Sequence, residues 1–579
     1  MRRLFPAMAL ALGLVSCSGG NGFDISRVVA NPVDIDYAFT HHEGDQFDGM
    51  REAADPVVTI YKGRYYLFPS MSFGYWSSDD MQHWKFITND LMPFENYAPS
   101  VMQYKGDLYW CVSGHNKIYK TSDPEDGASW AVASDRFQPF MDDPARTVHD
   151  PYLFADDDGK VYLYWGCSTV DPIMGVELDP ENGFRAKNRP DTLILHRERE
   201  FGWECRGDKN ETADASSNEG AAMLKKDGVY YLQYAGPGTE FDSYGDGIYT
   251  SDSPLGPFEH ADYSPFSVKP GGWMTGAGHG DTFQDKYGNW WHAATTVICQ
   301  RFIFERRIGF YPVIFTPSGE IHALTEFSDY PYILPDRKVD WTRTSPWTGW
   351  ADLSLGKKVT ASSSVGERNP SKACDNTIKT WWSACSGDSG EWLCVDLGLE
   401  KTVCAVQTNF ADQGFGIGPE PKSPYCFVLE CSSDGINWTV LKDVKEGTDN
   451  PHSLYVLDKS VRTRLVRLRS TAPVQGLLSV YDLRVFGKGD SPKPGRVHGL
   501  KAVRGDDPRR ISFSWDASEG ADGYILRWGT SRDAMYSTCQ VYGTEVELGL
   551  FSVGQGYWFS VDAFGEGGVT KGRKVLKVN

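Results

Sequence analysis

Five copies of one ten-residue block constrain what this chain can fold into. They read YKGRYYLFPS at 61–70, YKGDLYWCVS at 104–113, DDGKVYLYWG at 157–166, KDGVYYLQYA at 226–235 and KYGNWWHAAT at 286–295. Each copy sets a glycine (Gly63, Gly106, Gly159, Gly228, Gly288) in a tight turn ahead of an aromatic strand. Glycine suits that turn because it tolerates positive φ. No segment with helical periodicity intervenes convincingly, and the copies follow one another at 43, 53, 69 and 60 residues. A β-sandwich with unrelated hairpins would not repeat one block five times. The pattern predicts radial repetition, a five-bladed β-propeller, in an all-β chain.

Eight or nine residues before the turn glycines stand Asp55 in AADPVV, Ala98 in YAPSVM, Asp150 in HDPYLF, Glu219 in NEGAAM and His279 in GAGHGD. In a propeller these positions begin the innermost strands and converge on the axis, so three carboxylates and a histidine face one polar pocket. Two carboxyl groups in one pocket divide labour, one protonated as acid and one ionised as base. That is the apparatus of glycoside hydrolysis through an oxocarbenium-like transition state. A third carboxylate beside the acid raises its pKa, because like charges resist joint ionisation. One histidine with carboxylates falls short of a zinc triad, whereas a calcium ion held by oxygen ligands suits the pore. The net charge of −19 argues against a nucleic-acid or anionic-membrane partner. None of the 12 cysteines forms a CxxC pair, which argues against a zinc site or a thioredoxin-type motif. Cys374, Cys385, Cys394, Cys404, Cys426 and Cys431 fall in one later segment, where an oxidising compartment would allow pairing.

Four stretches, ADPVVTIYKGRYYLF, DPYLFADDDGKVYLYWG, EGAAMLKKDGVYYLQYAGPGTEF and GAGHGDTFQDKYGNWWH, carry a resemblance to glycoside hydrolase family 43 over about residues 30–335. That family consists of five-bladed propellers acting on arabinose-, xylose- and sometimes galactose-containing glycans. The resemblance implies an inverting enzyme with Asp55 as general base, Asp150 as the residue that tunes and orients the acid, and Glu219 as general acid. Inversion in one step places base and acid about 6.5–9.5 Å apart, with water between. Glu204 and Glu211, in the loop before Glu219, compete with it for the acid's role. His279 matches a pore histidine near a calcium ion or water; a hydrogen-bonded core histidine is the plainer reading. Arg306 in FERRIGFYPVIF aligns with a substrate-approaching arginine, and Arg307 faces the other way if the strand alternates. Trp76 in FGYWSSDD is read either as a sugar-stacking surface or as blade core.

After an irregular linker at 336–350, residues 351–488 contain LGKKVTASSS, ACDNTIKTWWSA, EWLCVDLGLEKTV and LECSSDGINW. These resemble the discoidin, or factor 5/8 type C, jelly roll, close to family 32 carbohydrate-binding modules. The resemblance assigns Asp375, Thr380 and Asp482 to a structural calcium site, with Asp482 where a glutamate is usual. Residues 494–579 read as short strands with core aromatics Trp515, Tyr524 and Tyr557, and resemble a fibronectin type III sandwich. All candidate catalytic groups precede residue 310, so the C-terminal domains are expected to be dispensable for chemistry.

The N-terminus resembles a bacterial lipoprotein signal over residues 1–16. Arg2 and Arg3 precede an apolar stretch ending Leu14-Val15-Ser16-Cys17. The resemblance implies lipidation at Cys17 and an outer-membrane anchor on the periplasmic side, leaving 24–335 as the propeller. The expected protein is a monomeric exo-glycosidase that needs no cofactor for chemistry and touches a membrane only through its lipid. Its expected substrates carry α-L-arabinofuranosyl or β-D-xylosyl residues on plant glycans. A β-galactosidase of the same fold and a non-catalytic glycan-binding propeller are the alternatives. A sialidase-like propeller would need an arginine triad and a tyrosine nucleophile that the sequence does not assemble.

Overall fold

The computed structural model describes residues 23–40, 50–88, 97–135, 137, 147–415 and 424–579; the signal segment and Cys17 lie outside the described residues. The five blocks become five hairpins, and their turn glycines have φ between 82° and 90°. Around each hairpin grows an antiparallel blade. Blade 1 orders its strands Val57–Tyr61, Arg64–Phe68, Tyr75–Ser78 and Lys85–Ile87. Blade 2 begins with Ser100–Tyr104, blade 3 with Tyr152–Ala155, blade 4 with Glu219–Lys226 and blade 5 with Thr275–Gln284. These five first strands touch one another in sequence, and the fifth touches the first. The ring is closed, with the first strand of every blade innermost. The chain is all-β and the propeller five-bladed, as the repeat predicts.

The ends of the propeller are tied together beside blade 5. Val28–Val29 pairs antiparallel with Tyr332–Ile333, and the Arg27 guanidinium donates to the carbonyls of Leu334 and Pro335. Alternate residues of neighbouring blades fill the wedge between them. Trp76, Phe283, Trp291 and Phe310, for example, form one cluster between blades 1 and 5.

Beyond residue 350, long bent strands form a single eight-stranded β-structure in the order Ala351–Asp352, Ser479–Lys488, Trp392–Phe410, Leu454–Ser470, Tyr425–Ser432 and Thr439–Thr448, with two short strands alongside. The last segment is a sandwich of a three-stranded and a five-stranded sheet, centred on Ile511–Ser514 and Gly523–Gly529. Its core does not close on itself. Trp515, Trp528, Phe551 and Phe559 belong to the same buried cluster as Tyr164, Trp203 and Tyr234 of the propeller. The second domain is keyed to the propeller by buried polar contacts: Arg51 pairs with Asp412 at 3.0 Å, and the Trp273 indole donates to Asp482 at 2.7 Å. Removing the C-terminal domains would therefore strip core from blades 3 and 4 and lower the stability of the propeller. All eleven described cysteines are free thiols.

Candidate active site

A shared backbone pose aims the pore groups. Asp55, Ala98, Asp150 and His279 all adopt the left-handed conformation, with φ of 49°, 51°, 50° and 45°. That conformation costs an L-residue about 1–2 kcal/mol, and neighbouring blades hold it in place by hydrogen bonds. The Asp55 amide donates to Thr295 Oγ1 of blade 5 at 2.9 Å, Ala98 N to Ser70 Oγ of blade 1 at 2.7 Å, and Asp150 N to Ser113 Oγ of blade 2 at 2.7 Å. His279 N donates to Asp246 Oδ1 of blade 4 at 2.8 Å. In blade 4 the left-handed residue is Gly220, φ 62°, not Glu219. Glu219 thus stands one residue ahead of the register that the sequence suggests. Gly220 must be glycine on a second count: a Cβ there would lie 2.6 Å from the His279 ring.

Asp55 is buried within a set of donors. Ser70 Oγ donates to its Oδ2 at 2.6 Å, and Arg306 Nη1 to Oδ1 at 3.1 Å. His279 Nδ1 lies 3.3 Å from Oδ1. Burial alone would raise this carboxyl, but Arg306 and His279 together bring it below the ordinary aspartate value. Asp55 is built to stay ionised.

Glu219 has the opposite setting. Burial, and after it the negative charge of Asp150, push its pKa up to about 7. Tyr244 donates to Oε1 at 2.5 Å and the Cys167 thiol to Oε2 at 3.4 Å. Asp150, Cys167 and Glu219 bring one ligand atom each within 4.8 Å of one another. Asp150 takes hydrogen bonds from Ser113 Oγ at 3.1 Å and from Gly220 N at 3.3 Å, and burial raises its own pKa. His279 faces both sides of the pore, with Nδ1 3.3 Å from Asp55 and 3.8 Å from Asp150. Burial opposes its charge, but the surrounding carboxylates raise its pKa overall. The donors gathered here include a thiol and an imidazole, a set that suits calcium poorly.

Other expected positions fall elsewhere. Trp76 is fully buried, packed at a tilt against its cross-strand partner Phe86, and its indole donates to Asp36 at 2.6 Å. It belongs to the third strand of its blade, away from the axis, so it is core and offers sugar no face. Arg306 is 2% exposed and lies behind the base, also reaching Glu52 at 2.9 Å. It acts on Asp55 rather than forming an open substrate surface. Arg307 points the other way, to the carbonyl of Arg51 and to His452 of the second domain. Glu204 is buried against Tyr234 and Glu211 is exposed at a loop turn. Of the three glutamates only Glu219 meets Asp150. In the second domain Thr380 Oγ1 donates to both oxygens of Asp375, at 2.9 and 2.8 Å, while Asp482 accepts from Trp273 across the domain boundary.

The sequence reading missed Ser70, Ser113, Thr295, Tyr244, Cys167 and Asp246. Three of them carried a signal: Ser70, Ser113 and Thr295 are the tenth residues of their repeat blocks.

Residues 50–317 match Glycosyl hydrolases family 43, and residues 358–482 match the F5/8 type C domain. The chain carries a family 43 glycosyl hydrolase domain. Among similar proteins, the beta-D-galactofuranosidase xynD of Aspergillus niger is 27% identical over 272 residues, 40% of this chain and 72% of that protein. A xylan 1,3-beta-xylosidase of a Vibrio species is 24% identical over 269 residues, 41% of this chain and 46% of its own length. A xylosidase/arabinosidase of Butyrivibrio fibrisolvens is 28% identical over 209 residues, 34% of this chain and 36% of its own length. The chain thus spans less than half of the latter two. The family 43 domain makes this chain a glycoside hydrolase with a carbohydrate substrate.

Proposed function

We propose that the protein is an inverting exo-glycosidase that removes terminal α-L-arabinofuranosyl or β-D-xylosyl residues from plant glycans. The observation that carries this reading is the opposed setting of two carboxyls in one pore. Asp55, with Arg306 and His279 beside it, is suited to take a proton from water; Glu219, with Asp150 beside it, is suited to give one to the leaving oxygen. The xylosidase and arabinosidase names among similar proteins support the choice of sugar. The galactofuranosidase supports the second reading, a galactose-releasing enzyme of the same fold. A panel of aryl α-L-arabinofuranoside, β-D-xyloside and β-D-galactoside, with NMR of the first-formed anomer, tests the proposal. Retained configuration would overturn the mechanism, and release of galactose alone would overturn the sugar.

Two accessory readings go with it. Asp375, Thr380 and Asp482 offer oxygen donors beside a buried Asn376 Oδ1 that has no hydrogen-bond partner, a set that fits a structural calcium ion. The Leu-Val-Ser-Cys signal supports lipidation at Cys17 and anchorage in a bacterial outer membrane, facing the periplasm.

A further inference from the structure

The loop that leads to Glu219 is built into the C-terminal sandwich. Arg509 of that domain donates through one guanidinium nitrogen to the carbonyls of Glu198, at 2.7 Å, and Ala213, at 2.9 Å, so it joins the two ends of the loop. Arg510 holds the carbonyls of Lys209 and Asn210, at 3.1 and 3.2 Å. Between these anchors the loop is hydrogen-bonded to the sandwich around a single isolated β-bridge. Gly202 N donates to the Phe551 carbonyl at 3.1 Å, Val553 N donates to the Glu200 carbonyl at 2.8 Å, and Phe201 pairs with Ser552. The approach is so close that a Cβ on Gly202 would lie 2.1 Å from the Gly549 carbonyl oxygen.

The far side of the same loop grips the acid's blade. Trp203, buried, packs edge-on against Tyr234 at 5.0 Å, and the Glu204 carboxylate accepts from the Tyr234 hydroxyl at 2.6 Å. Tyr234 is followed by Ala235, the direct cross-strand partner of Glu219. A second branch reaches the base: Arg206 pairs with Glu240 at 2.9 Å, next to Thr239, whose hydroxyl accepts from Arg306. A continuous set of contacts therefore runs from Arg509 to both sides of the pore.

We propose that the C-terminal sandwich is a working part of the active site, and that Arg509 is a positioning residue that sets the placement of Glu219 through the loop 198–213. The proposal rests on Glu219 being the acid. Glu219 faces Asp150, His279, Tyr244 and Cys167, with Asp55 beyond. Loosening the loop lets Tyr234 and the strand beside Glu219 relax and admits water to the carboxyl.

The test uses the full chain with Arg509→Ala, Arg509→Lys and, as a control for lost stability, Val546→Ala, a half-buried side chain packed against the same domain's core. Each is assayed on a poor-leaving-group oligosaccharide and on an activated aryl glycoside across pH. Arg509→Ala should lower kcat on the oligosaccharide about tenfold and on the aryl glycoside much less, since proton donation is what suffers. Its alkaline limb should move to lower pH with KM little changed, and Arg509→Lys should recover part of the loss. Val546→Ala should lower the melting temperature without moving the limb. An unmoved limb and equal losses on both substrates in Arg509→Ala would overturn the proposal. Glu219→Gln run alongside separates the two possible failures: if it too hurts both substrates equally, the acid assignment is at fault rather than the clamp. Should Arg509→Ala not fold, hydrogen exchange on the unaltered protein decides. Amides of 198–213 should open together with the strand Glu545–Leu548, and a loop that exchanges freely while that strand stays protected refutes the clamp.

Discussion

Replacing Asp150 by asparagine isolates one electrostatic cause from the geometry around it. The amide can keep both neighbours, its oxygen accepting from Gly220 N and its nitrogen donating to Ser113 Oγ, so the pore retains its shape. What disappears is a negative charge whose oxygen lies within 4.8 Å of a Glu219 oxygen. Two like charges at that distance repel by about 3.5 kcal/mol at an effective dielectric near 20, and by about 1 kcal/mol in bulk water. Those limits correspond to roughly 0.6–2.5 pK units. Burial is the larger cause of the rise from 4.5 to about 7, so the part removed with Asp150 is set at about one unit. The alkaline limb of kcat/KM on an unactivated oligosaccharide should therefore fall by about one pH unit. Well above the limb the variant should be about tenfold slower for this reason alone, with no such pH-dependent loss on the acid side. A full pH profile on purified protein reads this directly. A limb that stays in place, or moves upward, would refute the argument that Asp150 tunes the acid by charge.

Glu219→Gln should cripple poor leaving groups by about 10²–10⁴-fold and activated aryl glycosides far less, whereas Asp55→Asn should abolish both; comparing the two substrate classes checks this. Glu204, fully buried, has its pKa raised by burial from 4.5 to about 7, so the folded state holds a proton that the unfolded chain releases in between. Its favourable contribution is complete below about pH 4.5 and is lost as pH rises through about 7. Glu204→Gln should therefore stabilise the protein at pH 8, by up to about 3 kcal/mol, and not at pH 4, as read from urea midpoints. A calcium chelator should lower the melting temperature of the unaltered protein, calcium but not magnesium should restore it, and Asp375→Ala should be insensitive to both.

The propeller was legible because its repeat is local: a glycine turn and an aromatic strand are written in ten consecutive residues. The same blocks also carried the pore's supports, since Ser70, Ser113 and Thr295 close three of them and cap left-handed residues of blades 2, 3 and 1. Their role needs the ring, because each hydroxyl accepts from a backbone amide of the next blade. Glu219 was found through a register that is off by one, since a left-handed glycine looks in sequence like any other turn residue. The two readings of Trp76 stayed open because a strand aromatic reads alike whether it faces the axis or a neighbouring blade. The clamp was out of reach, as Arg509 meets Glu198 across more than three hundred residues with no shared pattern.

Ala98 holds the same left-handed pose as Asp55 and Asp150, with a methyl group where they carry carboxyls. The strain is thus a property of the ring, present even where no reactive group draws on it. Blades 1, 2, 3 and 5 each present the axis with a prepared socket whose side chain can be exchanged without recasting the backbone, whereas blade 4 fills its socket with Gly220. An acid or imidazole placed at position 98 would arrive already aimed at the pore. A fold of this kind can change its chemistry one socket at a time while leaving the blades untouched.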